Sequence, residues 1–174
     1  GDYEGEVAYE NFNAASASFE IKGVNVHPGE AKDIMINAAL VGCEIASLLP
    51  ENETPAHTEG REGFYHLTDF SGDIAHAKVN YIVRDHDKAT FEKRLDTLRG
   101  IEQKMNEKYH ADTVKLNIQH SYSNMLEVIE KNEYVVAIAK KAIKFVCVVS
   151  LPMMIYFILY AKEGIYFLSG SAYD

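Results

Sequence analysis

The chain is poor in cysteine and in positive charge, and each shortage closes a class of reading. Cys43 and Cys147 are its only cysteines. Two isolated cysteines build neither a disulfide framework nor a zinc knuckle. Cys43 stands among apolar residues at helical spacing and reads as a small buried hydrophobe. Lysine and arginine number 17 against 26 aspartates and glutamates, giving a formal net charge of -9. No basic stripe offsets that balance. A nucleic-acid partner is therefore excluded, since a phosphate backbone calls for clustered Lys and Arg. No H-E-x-x-H metal pattern occurs. His57, His66, His76, His86, His110 and His120 are scattered without ligand spacing. No secretory signal is visible, and the first residue is Gly rather than Met. The chain reads as an internal piece of something longer. Its 47% hydrophobic and 25% charged residues match a soluble, cytoplasmic globular domain.

What is present alternates between strand and helix patterns. Ala17, Phe19 and Ile21 fall on one side of a two-residue alternation, with Ser16, Ser18, Glu20 and Lys22 on the other. That is a half-buried strand over about Ala14–Lys22. Ile34, Ala38, Val41, Ile45, Leu48 and Leu49 then recur at three and four, which predicts a helix over about Gly29–Leu49. Pro50–Gly63 is a polar loop. Phe64–Phe70 and Ile74–Arg84 flank the turn residues Ser71-Gly72-Asp73 and predict a hairpin. His66 and His76 flank that turn and read as ordinary sheet-face residues. Asp87 caps a second predicted helix, Lys88–Tyr109. Val114, Leu116 and Ile118 mark a fourth strand, and Gln119–Asn124 a linker. The order β-α-β-β-α-β predicts an α+β, ferredoxin-like two-layer sandwich: a four-stranded antiparallel sheet with two helices on one face.

A C-terminal helix is predicted over about Met125–Lys144, amphipathic through Val128, Ile129, Val135, Val136 and Ile138. An apolar tail follows. Phe145–Ala161 carries no charge. A bilayer span takes about 17–25 apolar residues, so this run sits at the lower limit, and Pro152 interrupts it. Buried strands or a collapsed apolar end are expected, rather than a membrane anchor.

The run most charged with chemistry is Gly23-Val24-Asn25-Val26-His27-Pro28-Gly29. Pro28 biases His27 toward extended geometry and suits a helix start. The imidazole is thereby held at a strand-to-helix corner, where side chains commonly face a cleft. By itself it also reads as a surface or capping histidine.

Four blocks in order carry a resemblance. They are Asn11-Phe12-Asn13-Ala14-Ala15-Ser16-Ala17, then Gly23 to Gly29, then Thr58-Glu59-Gly60-Arg61-Glu62-Gly63-Phe64-Tyr65-His66-Leu67-Thr68, then Tyr81-Ile82-Val83-Arg84-Asp85. From about Gly1 to about Ile143 the chain resembles the peptidase T family, tripeptide aminopeptidases of the two-zinc, carboxypeptidase G-like clan. The matching part is the lid, often a dimerisation domain, inserted in a catalytic domain. The resemblance implies residues 1–13 as a hinge from a missing catalytic domain, 14–122 as the lid, 123–144 as a helix re-entering that domain, and 145–174 as an atypical tail.

It also implies chemistry. His27 matches a histidine that reaches the metal site and donates to the developing oxyanion. Arg84 is the expected partner of a tripeptide's C-terminal carboxylate, because a guanidinium offers a planar fork for it. A local pairing of Arg84 with Asp85 or Asp87 is the alternative. Asn11, Asn13, Thr58 and Tyr65 are expected to be structural. Two zinc ions belong to the full-length family enzyme, and none is expected on this piece. Asp2 is displaced from the family's ligand position, and the later Gly-Gly-Thr-Asp-Gly turn is missing. The expected partners are a tripeptide and the catalytic domain, with a second copy as a further candidate. The alternative function is a non-catalytic dimerisation or interaction module.

Overall fold

Backbone hydrogen bonding pairs the four strands into one antiparallel sheet, in the order β2-β3-β1-β4. The strands are β1 (Asn13–Lys22), β2 (Phe64–Gly72), β3 (His76–Asp85) and β4 (Val114–Tyr122); helices α1 (Ala38–Ser47) and α2 (Lys88–Lys108) intervene. The computed structural model describes residues 10–161 and 164. The chain divides into two compact units, Gly1–Met125 and Leu126–Asp174. The expected α+β sandwich is the architecture of the first.

One sheet face carries the core. Phe19, Val79, Val83, Leu95, Leu98 and Met105 are fully buried there. Burying such side chains contributes roughly 1.5–3 kcal/mol each before entropy is counted. The strand alternation explains the rest: Ser16, Glu20 and Lys22 of β1 project from the other face, which stays open. Helix α2 forms as its stripe predicts, with Asp87 Oδ1 accepting from Thr90 N at 2.8 Å. Those backbone and side-chain hydrogen bonds from Thr90 hold the Asp87 carboxyl below its ordinary range.

Four expectations need correction. The first helix does not run from Gly29. Only a 3-10 turn, Pro28–Glu30, forms there, and Asp33 then takes φ 60. Val24 pairs with Ile36 in an isolated bridge, and Asn37 Oδ1 caps a later start by accepting from Leu40 N at 3.3 Å. Ile34 is consequently exposed, not part of the buried stripe. Cys43 is also exposed, because α1 turns Val41, Gly42 and Ile45 inward instead. Strand β4 extends to Tyr122, absorbing most of the expected linker.

The fourth correction concerns the second unit. Short α3 (Leu126–Glu130) precedes α4, which runs unbroken from Glu133 to Leu159 through Pro152. The described part of the tail is therefore one helix with its apolar side chains exposed, not buried strands or a collapsed end.

Gly23 locks the end of β1. A Cβ there would lie 2.3 Å from the Ile74 carbonyl oxygen and 2.5 Å from that of Ile36. Both obstacles are backbone and cannot rotate away. Gly23→Ala is expected to cost about 2–3 kcal/mol by overpacking, read as a lower urea midpoint at unchanged slope.

A second anchor joins the helices. Glu44 of α1 accepts from Lys108 Nζ at 2.6 and 2.8 Å and from the Tyr109 hydroxyl at 2.7 Å. These bonds, the lysine's foremost, hold the Glu44 carboxyl below its ordinary 4.5. A carboxylate lowered in the folded state stabilises above its unfolded value, and that gain is lost as pH falls through the folded one. Glu44→Gln is expected to lower stability at neutral pH and to flatten its decline below about pH 4.5. Urea midpoints across that range check both.

Candidate functional site

The two ends of the first unit's chain leave it side by side. Asn13 Nδ2 donates to the carbonyls of Asp85 (3.2 Å) and His86 (3.1 Å), and its Oδ1 accepts from Asn124 N at 2.9 Å. Asn11 Oδ1 accepts from Met125 N at 2.6 Å, while Asn124 Nδ2 reaches the His86 carbonyl at 3.0 Å. Asparagine suits this place because one amide donates and accepts at once. Asn11 and Asn13 thus have the structural role expected of them. Asn124 was not singled out from sequence; its pairing spans 111 positions, and only its residue type hinted at it.

Arg84 lies beside these asparagine contacts. In β3 it pairs with Ala14 and Phe64, on the open face. Its guanidinium carbon sits 5.9 Å from the Phe12 ring centre. Its Nε is buried with no hydrogen-bond partner among the described residues. The alternative, a local pairing with Asp85 or Asp87, is not made. Asp85 is turned to the core face, where Oδ2 accepts from Arg94 Nε at 2.8 Å and Oδ1 from Asp87 N at 2.9 Å. Asp87 is occupied in capping α2.

Arg94, which sequence reasoning missed, organises the polar loop. It bridges buried Asp85 and Glu53, and its guanidinium lies 5.2 Å from the Tyr65 ring centre. Burial pulls the Arg94 pKa down, but the bonds to Asp85 and Glu53 outweigh it and leave the pKa raised. Tyr65 donates its hydroxyl to the Arg94 carbonyl at 3.3 Å, and Thr58 donates to the Thr54 carbonyl at 2.9 Å. Both have structural roles. Gly63 is required by the same network, since a Cβ there would fall 2.1 Å from Asp85 Oδ2.

His27 stands at the other end of β1. Its Nδ1 accepts from Gly29 N at 3.1 Å, so it caps the 3-10 turn. With Nδ1 an acceptor, the neutral ring carries its proton on Nε2. The cap therefore prepares a donor. The side chain is exposed. From Ala14, beside Arg84, to Lys22 the strand advances about 3.3 Å per residue, or roughly 26 Å in all. The structure does not bring His27 and Arg84 together within one chain.

His66 and His76 stay apart too: His66 is opposite Ile82, whereas His76 follows the turn beyond Gly72 and Ala77. Among the described residues no group of three or more His, Cys, Asp or Glu side chains is placed to hold a metal ion. Zinc finds no donor set there. Asp2 lies outside the described residues.

The chain thus enters and leaves the α+β sandwich at one clasp, as the termini of domains often do. Residues 9–113 match the model of the family described as Peptidase dimerisation domain, and the chain belongs to that family. Among similar proteins, Peptidase T of Clostridium novyi (strain NT) is 49% identical over 144 residues, 83% of this chain and 35% of that protein. Peptidase T of Bacillus subtilis (strain 168) is 46% identical over 140 residues, 80% of this chain and 34% of that protein. The chain thus spans about a third of the relatives it matches. The aminopeptidase PepT structure from Bacillus cereus ATCC 10987 shares the fold, with TM-score 0.58 at 13% identity, covering 69% of this chain and 32% of that one.

Proposed function

We propose that this chain is the lid and dimerisation part of a zinc-dependent, cytoplasmic tripeptide aminopeptidase. The observation that carries the reading is near-half identity to Peptidase T over four fifths of the chain. In this reading zinc and its ligands belong to a catalytic domain, and the lid supplies two organic groups. The Nε2 proton of His27 is donated to the oxyanion that forms at the scissile carbonyl, charge that exists only in the transition state. The Arg84 guanidinium, whose Nε has no hydrogen-bond partner among the described residues, receives the substrate's C-terminal carboxylate and so measures peptide length.

A tripeptide extends only about 10 Å, less than the roughly 26 Å that β1 runs from Ala14, beside Arg84, to Lys22, before His27. One site therefore takes its imidazole from one protomer and its guanidinium from the partner. Strand β2 favours the pairing of two copies. It is a sheet edge, and Leu67 and Phe70 remain 41% exposed on it. The β4 edge differs, for α2 packs against it. A non-catalytic pairing module is the second reading, and the same edge supports it.

The test is a chimera: residues 10–143 of this chain replacing the matching segment of Bacillus subtilis Peptidase T. Tripeptide cleavage by the chimera, and none by this chain alone with added zinc, is the expected result. A folded but inactive chimera favours the pairing module, and turnover by the chain alone overturns the proposed division of labour.

A further inference from the structure

The longest uncommitted surface lies in α4. Within Tyr134–Leu159 an 18-residue window reaches a mean hydropathy of 2.2, and none of that window is buried. The resemblance to peptidase T ends at about Ile143, before the uncharged run, so that reading does not account for it.

The distribution of side chains identifies what covers such a helix. A helix that docks in a protein groove keeps a polar face for water. From Phe145 onward α4 has none: Phe145, Val148, Leu151, Met154, Phe157 and Ile158 face all directions, and each is at least half exposed. A helix apolar around its whole circumference fits lipid. Its length fits as well. The candidate span Tyr134–Leu159 is 26 residues, about 39 Å at 1.5 Å per residue, and its uncharged part Phe145–Leu159 covers about 22 Å of a hydrocarbon core of about 30 Å.

Both ends have interfacial chemistry. Lys140, Lys141 and Lys144 precede the run, with no acid between Tyr134 and Ala161. Long lysine stems reach back to anionic headgroups while their methylenes stay in the apolar layer. Tyr156 and Tyr160 stack at 5.2 Å near the other end, where aromatic rings mark membrane boundaries. Pro152 agrees. An interior proline costs a water-exposed helix about 3 kcal/mol, whereas spanning helices commonly carry one.

We propose that α4 is a bilayer-spanning anchor, with its lysine end at an anionic headgroup layer. The lysines precede the apolar run, so positive charge stays on the side of the α+β unit. That polarity puts the unit on the cytoplasmic face.

The full chain is tested by flotation with vesicles of phosphatidylcholine and phosphatidylglycerol. It is expected to float, to stay bound in high salt and to resist alkaline carbonate. A chain carrying Val149→Arg and Ile155→Arg is expected to float about tenfold less, with the unfolding transition of the α+β unit unchanged. Aggregates sink, so they are not scored as bound. Failure of the unaltered chain to float, its release by carbonate, or equal flotation of the arginine variant overturns the anchor. So does a defined lipid-free oligomer in which α4 is protected from hydrogen exchange, which assigns the helix to a second copy.

Discussion

Asp85→Ala is expected to destabilise the α+β unit by about 3–5 kcal/mol, the cost of stranding a buried charge. The stranded charge is Arg94, whose side chain is 11% exposed while that of Asp85 is 6% exposed. Glu53 remains as a partner but is more accessible, at 36%. The loss reaches beyond one bond. Asp85 also accepts from the backbone of Asp87 where α2 begins, and Arg94 ties the loop at Glu53 to that helix. Urea unfolding of the single variants and of Asp85→Ala with Arg94→Ala measures the coupling. The double variant is expected to lose less than the sum of the singles, by about 1–3 kcal/mol. Additivity would show that the two side chains act independently.

His27→Ala in the active chimera is expected to lower kcat by about 10²–10³, the usual cost of one oxyanion donor. KM should change little, because the interaction forms only in the transition state. Stability should fall by no more than about 1 kcal/mol, since the lost cap bond is exposed. A kcat within a factor of about two of the parent would leave His27 as a cap and nothing more.

Local signals made much of the fold legible. The alternation in β1 and the Asp87-capped stripe of α2 depend on neighbours along the chain, and both formed as read. The start of α1 failed for a specific reason. Pro28-Gly29 looks like a first turn, yet the bridge from Val24 to Ile36 closes that segment into a loop, with a 3-10 turn and Asp33 at positive φ, before Asn37 can cap. Pro152 misled in the opposite sense, because α4 continues through it. Of the site, sequence pointed to His27 and Arg84 but not to their distance apart, which the register of β1 and β3 sets. It also missed Arg94 and Asn124, whose partners are tertiary. The supposed Arg84–Asp85 pair failed because adjacent strand residues face opposite sides of a sheet.

The division of one site between two protomers is tested most directly by mixing. One chimera carries His27→Ala and the other Arg84→Ala, and each alone is nearly inactive on a tripeptide supplied below KM. After subunit exchange, half the dimers are hybrids, and each hybrid holds one site with both groups intact. Recovery of about a quarter of the parent activity is predicted from that statistical mixture. No recovery, with hybrids demonstrated by mass spectrometry, would mean that both groups serve a site from the same protomer and would contradict the account.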